Sequence, residues 1–243
     1  MIDQKHTKTF LFFGDSLIDR RSIVTIDPCY DLPAIGEAVR VLDHQKRGFF
    51  KLLLEMLQLA HPLNKIQFQS FARGGATSRH MVTQLEAYGE MTFKNSQVDT
   101  MKADAIFICI GTNDASYPFF GLLSNKDNNI STEEFKSNYE FVLTALSAQC
   151  QRIYCILPPP VRVDKKQNCI NKQIAEYNNA VMDLKTLYDN VHLIDLYTRF
   201  DQTDVAFAGQ NTQLKLRIDD GVHFSDLGNQ LAANIIWNCL TYS

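Results

Sequence analysis

Ser16, His223 and a carboxylate just ahead of that histidine are the residues of this chain whose types and spacing could transfer an acyl group. The run Asp220-Gly221-Val222-His223 sets an aspartate three positions before an imidazole. Residues three apart on a turn or helix start lie about 5–6 Å apart at Cβ, near enough for Asp220 to accept a hydrogen bond from one ring nitrogen. The other nitrogen can then take the proton of Ser16 as its oxygen attacks an ester carbonyl. Asp219, four positions before His223, is the competing carboxylate for the orienting role. Such an attack also needs donors for the oxygen that becomes negative. Three are available: the backbone N–H of Ser16, the backbone N–H of Gly75 in Arg73-Gly74-Gly75-Ala76-Thr77, and the side-chain amide of Asn113 in Gly111-Thr112-Asn113-Asp114. Glycine suits the second because no Cβ obstructs a close approach.

What must bring these residues together is a sheet. Short apolar runs at Thr9-Phe13, Ile66-Ala72, Ala105-Ile110, Ile153-Leu157 and Val191-Ile194 read as five strands buried on both faces. Between them, three-or-four spacing of apolar residues predicts helices at Phe49-Leu59 and Arg79-Tyr88, through Phe135, Tyr139, Val142, Leu143 and Leu146, and from Ile174 to Tyr188. The third opens with the capping-box pattern Ser131-x-x-Glu134, and a last helix runs from near Ser225 to Leu240. Alternating strands and helices predict a three-layer α/β/α sandwich, flavodoxin-like, with a five-stranded parallel sheet. Gly14-Asp15-Ser16, the Gly74-Gly75 stretch and Gly111-Thr112-Asn113-Asp114 each follow a strand, and a 2-1-3-4-5 order would set these three strand ends side by side. Asp220 to His223, just before the last helix, can lie across the same edge. Residues 17–45 and 197–222 read as irregular, and Ala115 to Ile130 as an insertion. Its Tyr117, Phe119, Phe120, Leu122 and Leu123 form either a wall for an acyl chain or a patch packed on the protein's own surface.

Composition narrows the function classes. The 243 residues suit one domain over 1–243, with 45% hydrophobic and 21% charged residues, which is ordinary for a folded soluble chain. A net charge of −3 and no basic run longer than two residues argue against nucleic acid as a partner. No clustered Cys/His spacing and no phosphate-cradling glycine motif occur, so neither metal nor nucleotide cofactor is expected. The six cysteines are scattered, as reduced structural thiols are. Phe49 to Ala60, the longest greasy stretch, carries Lys51 and Glu55 and falls short of the ~20 residues that span a bilayer. The N-terminal apolar run is too short for a signal peptide, which predicts a cytoplasmic protein and leaves open an export route that ignores the N-terminus. Leu17-Ile18 after Ser16 excludes the G-x-S-x-G elbow of the α/β-hydrolases.

Four blocks taken in order resemble the GDSL-type, or SGNH, hydrolases: Gly14-Asp15-Ser16-Leu17, Ser70-Phe71-Ala72-Arg73-Gly74-Gly75-Ala76-Thr77, Gly111-Thr112-Asn113-Asp114 and Asp220-x-x-His223. The resemblance spans nearly the whole chain. It implies the SGNH fold, a nucleophile at Ser16, a base at His223 oriented by Asp220, an oxyanion hole of Ser16, Gly75 and Asn113, and no cofactor. One departure is Ser70, where members of the family often have Asn, which puts in question what supports the loop around Gly75. The expected substrate is a small-molecule or lipid ester. A lipid or lysophospholipid acyl ester is favoured because the apolar insertion follows Asn113. A short-chain O-acetyl ester of a carbohydrate, acyl transfer to an alcohol, and a catalytically silent binding module on the same fold are the alternatives.

Overall fold

Strands that are apolar at every position need cover on both faces, and the fold supplies it. The computed structural model describes residues 7–18, 49–62, 64–94, 103–120, 130–163, 167–209 and 214–242. Five strands, β1 (Thr7–Gly14), β2 (Lys65–Ser70), β3 (Ala105–Cys109), β4 (Ile153–Leu157) and β5 (Val191–Asp195), form one sheet in the order β2-β1-β3-β4-β5. Every pairing is parallel. All residues of β3 and β4 are buried. Seven helices are described: α1 (Phe49–Ala60), α2 (Ser78–Lys94), α3 (Thr112–Phe120), α4 (Thr132–Ser147), α5 (Gln167–Lys185), α6 (Leu196–Gly209) and α7 (Asp226–Tyr242).

Alternation along β1 divides the core into two. Leu11 and Phe13 join Met81 of α2, Phe135 of α4 and Ile174 of α5 on one face of the sheet. Phe10 and Phe12 join Phe50 of α1, Phe200 of α6 and Ile236 of α7 on the other. On this second face, register stacks aromatic rings across four strands. Phe12 lies 4.8 Å from Phe107, Phe107 5.1 Å from Tyr154, and Tyr154 5.2 Å from His192, between ring centroids. Truncating a fully buried ring such as Phe107 to Ala would cost about 3–5 kcal/mol, and the strand ends that carry the site would loosen with it.

Two stretches expected to be irregular contain helices. Residues 112–120 form α3 despite Pro118, whose missing N–H removes one backbone bond near the helix end. Its buried positions Thr112, Ala115 and Ser116 are small or polar, so no apolar period announced it. The second is α6, which begins directly after β5. Asp195 both ends the strand and caps the helix, accepting from the Thr198 N–H at 2.9 Å. Leu196 and Phe200, one turn apart, are its buried anchors. The Ser131 cap of α4 forms as expected, accepting from Glu134 N–H at 3.1 Å. The Glu134 carboxylate, however, pairs with Arg79 of α2, where it receives the guanidinium Nη2 at 2.8 Å. Residues 19–45 of the first long loop, together with Leu122 and Leu123, lie outside the described residues, as do the side chains of Phe119 and Phe120.

Candidate active site

Three strands of the sheet end beside one another, and each delivers one piece of the site. After β1 the chain turns sharply: Asp15 N–H donates to Cys109 O at 3.2 Å and Ile18 N–H to Asp15 O at 3.1 Å. The Asp15 carboxylate, wholly buried, accepts from Leu17 N–H at 2.9 Å. Asp15, Leu17 and Ile18 are therefore pulled inward, and Ser16 is the one residue of the turn left partly exposed.

His223 arrives from the other end of the sequence. Residues 216–225 form a short hairpin with one antiparallel bridge, Arg217 to Phe224, closed by Ile218 N–H on His223 O at 2.9 Å and Ser225 N–H on Leu216 O at 3.0 Å. At its tip Gly221 has φ +70°, and a Cβ there would meet Arg162 O at 2.0 Å, so only glycine permits this docking. His223 Nε2 lies 2.9 Å from Ser16 Oγ, and Nδ1 lies 2.7 Å from Asp220 Oδ2. The other Asp220 oxygen accepts the backbone N–H groups of Val222 and His223, both at 2.9 Å. Burial alone would raise this carboxyl, but the His223 ring and the two backbone donors outweigh it and hold Asp220 below the usual carboxylate range. An ionised Asp220 fixes the Nδ1–H tautomer and leaves Nε2 as an acceptor. The competing Asp219 has a side chain 99% exposed and meets Lys215 at 3.6 Å. Asp220 is the carboxylate on the imidazole.

The third piece is the turn after β2. Ala76 N–H closes it on Arg73 O at 3.0 Å, and Arg73 N–H ties it to Gly14 O at 3.0 Å. Gly75, not Gly74, carries the positive φ, +76°, at the position where a type II turn demands it. Asn113, at the start of α3, donates through Nδ2 to Ala76 O at 3.0 Å, which uses one N–H of the amide and leaves the second for a ligand. Two side-chain bonds support the chain leading into this turn. Ser70 Oγ accepts from Ala72 N–H at 3.3 Å, and Gln84 of α2 donates to Phe71 O at 3.1 Å.

Around this turn lie residues whose part the sequence did not disclose. Tyr117 donates its hydroxyl to Gly75 O, and burial, with the Asp15 and Asp114 charges beside it, pushes its pKa up, so it stays a donor. Tyr117, expected either in a wall for an acyl chain or in a patch packed on the protein's own surface, thus braces the Gly75 turn through its hydroxyl. Asp114, fully buried, accepts Ser78 N–H at 2.9 and 3.2 Å and so joins the starts of α2 and α3. Burial pushes its carboxyl up to about 6 against the lowering effect of the Ser78 hydrogen bonds and the Arg79 charge. Nothing in a polar Thr-Asn-Asp run distinguishes these partners; only the packing of α3 on the Gly75 turn does. Among the described residues, no three His, Cys, Asp or Glu side chains group as a metal site. No described helix is long and apolar enough to cross a membrane.

A model of the GDSL-like lipase/acylhydrolase family matches residues 12–231, which takes in Ser16, the Gly75 turn, Asn113 and His223. The chain belongs to this family. It is thus an ester hydrolase of GDSL type, and the matched stretch takes in all four blocks recognised in the sequence. Solved structures with the same architecture include an acetylxylan esterase from Geobacillus stearothermophilus, 19% identical, covering 98% of this chain and 96% of that one at a TM-score of 0.66. A catalytic mutant of the same esterase is 17% identical over 98% and 96%, with a TM-score of 0.70. An α/β hydrolase from the metagenome of Lake Arreo, Spain, is 16% identical over 98% and 96%, with a TM-score of 0.69. Comparison with curated protein sequences finds no match.

Proposed function

We propose that this GDSL-type hydrolase cleaves short-chain carboxylic esters, an O-acetyl ester of a carbohydrate being the substrate class, through an acyl-enzyme on Ser16. One observation carries the chemistry: Ser16 Oγ and His223 Nε2 stand 2.9 Å apart with Asp220 behind the ring. Ser16 Oγ bonds to the carbonyl carbon while its proton passes to Nε2. Asp220 stabilises the imidazolium without taking a proton. The carbonyl oxygen, now negative, is held by the N–H groups of Ser16 and Gly75 and the Asn113 amide. Collapse breaks the bond to the leaving oxygen, which receives the proton from Nε2. Water then repeats the sequence on the acyl-enzyme, releasing the acid and restoring Ser16.

Two points support a small acyl group. The solved structures that share this fold over nearly the whole chain include acetylxylan esterases. Tyr117 holds its hydroxyl on Gly75 O, which commits that end of the ring to the turn and not to a wall for a long acyl chain. The lipid reading rests on the apolar character of the Ala115 to Leu123 stretch. Rates on para-nitrophenyl acetate, butyrate, octanoate and palmitate separate the two: the short-chain reading expects a steep fall beyond butyrate, and equal or higher rates on octanoate would overturn it. Release of acetate from acetylated xylo-oligosaccharides tests the carbohydrate leaving group. A fluorophosphonate probe that fails to label Ser16 at neutral pH would favour a silent binding module instead.

A further inference from the structure

The hairpin that carries His223 has little to hold it in one orientation by itself. Its single bridge lies outside the five-stranded sheet, and an isolated two-stranded ribbon is marginal in water. On the side facing α6 its apolar contact is made at the root, where Phe224 lies 4.9 Å from Phe200 between ring centroids; towards the tip a cavity of about 370 Å³ intervenes, lined by Asp204 and Phe207 of the helix, Leu216, Arg217 and Gly221 of the hairpin, and Arg162. Apolar contact thus holds the root of the hairpin on the helix, and something else must set the angle of its tip.

Charge sets it. Arg217, at the root of the hairpin and 4% exposed, donates Nη1 to Asp204 Oδ2 at 2.6 Å, and its guanidinium carbon lies 5.2 Å from the Phe200 ring centroid. Phe200 and Asp204 are one turn apart on α6, so one helix face offers the cation an aromatic ring and a carboxylate. The same Asp204 oxygen accepts Arg162 Nε at 3.0 Å, and Arg162 Nη2 reaches Asp201 at 2.9 Å. Arg162, on the segment after β4, gives its backbone N–H to Gly221 O at 2.7 Å, directly beside Asp220. Asp204 thus gathers the root of the hairpin, its tip and α6 at one carboxylate. Arg217 Nε and Nη2 are buried without a protein partner, and an apolar pair of the same volume is often as stable as a buried ion pair, so stability alone does not account for this one. A buried charge retained under those terms is better explained by orientation.

We propose that Asp204 and Arg217 are positioning residues for the His223 base, holding the hairpin so that Nε2 stays against Ser16. The proposal rests on Ser16 and His223 acting as nucleophile and base. The test measures kcat and KM on para-nitrophenyl acetate for Arg217→Met and Asp204→Asn, alone and combined with His223→Ala. Alone, each should lower kcat by about tenfold or more with KM within about twofold and the far-UV circular dichroism unchanged. With His223→Ala present, the same substitutions should cost less than about twofold, because the group they position is gone. Equal losses in both backgrounds would mean a general structural role and would overturn the proposal, as would a kcat within twofold of wild type. The proton spectrum gives a second readout: the His223 Nδ1 proton, far downfield while Asp220 holds it, should broaden in both variants, and an unaltered signal counts against the idea. If Arg217→Met does not fold, Arg217→Lys and the near-isosteric Asp204→Asn carry the same comparison. Loss of the underlying reading looks different: wild-type activity would then survive Ser16→Ala, whatever the two variants do.

Discussion

His223 Nε2 stands 2.9 Å from Ser16 Oγ, a contact between residues 207 positions apart in the chain. Groups that share one proton in this way fail together. Ser16→Ala and His223→Ala should each lower kcat by about 10³-fold or more, and the double variant should be scarcely worse than either single one. Steady-state rates on para-nitrophenyl acetate for the three proteins decide it. A double variant a further hundredfold down would mean that the two act independently.

Two neighbouring aspartates should give opposite results. Asp220→Asn keeps the shape of the loop and loses the acceptor that fixes the imidazole tautomer, so kcat should fall by about 10³–10⁴-fold. Asp219→Asn, at a solvated side chain, should change it by less than about twofold. The pH dependence follows from the lowered Asp220 carboxyl. Its interactions contribute stability above the ordinary carboxylate range and lose it as pH falls through the lowered value. Asp220 should therefore stay ionised below the pH at which an ordinary carboxylate protonates; an inflection of kcat/KM in the ordinary carboxylate range that Asp220→Asn removes would contradict this.

Tyr117 and Gly75 should be coupled. Gly75→Ala introduces a Cβ 2.7 Å from the Tyr117 hydroxyl at a φ of +76°. The expected cost is about 1–3 kcal/mol of stability, with a fall in kcat as the turn shifts from the oxyanion position. Tyr117→Phe removes the hydroxyl and should relieve part of the loss in the double variant. Thermal melts and kcat on the four-protein cycle measure the coupling, and strict additivity would mean that the ring does not brace this turn.

Asp114 makes an unusual stability prediction. Its folded-state value, about 6 against an ordinary 3.8, means that the native state binds the proton more tightly than the unfolded chain. Stability from this group is full below the ordinary value and is lost as pH rises through about 6, by about 3 kcal/mol in all. Asp114→Asn keeps an oxygen for Ser78 N–H and carries no charge, so its melting temperature should gain on wild type between pH 4 and pH 8. A difference independent of pH would show that the carboxylate ionises without cost. Because Asp114 adjoins Asn113, the same substitution should change kcat more than KM.

Asn113 offers a separate measure of the oxyanion hole. Asn113→Ala removes the one side-chain donor and should cost about 2.7–4 kcal/mol in the barrier, read as a 10²–10³-fold fall in kcat with little change in KM.

The strands were legible in the sequence because strands covered on both faces, such as β3 and β4, must be apolar at every position. The four blocks were legible because ester hydrolysis needs particular atoms, and at Ser16, Gly75, Asn113, Asp220 and His223 few residue types supply them. Helices α3 and α6 were not legible. In the first, small and polar residues are buried against α5 and the start of α2, not by a period of their own; in the second, no turn separates strand from helix. Sequence favoured Asp220 over Asp219 as the carboxylate on His223, although both lie within one helical turn of it. The physical reason lies in the hairpin, which turns one carboxylate onto the ring and the other into water. The sequence by itself determined which groups this hydrolase owns and at which strand ends they lie. Only the tertiary structure decided how the hairpin stands over Ser16, because the ties that orient it, Arg217 to Asp204 and Arg162 to Gly221, join segments that local pattern leaves unrelated.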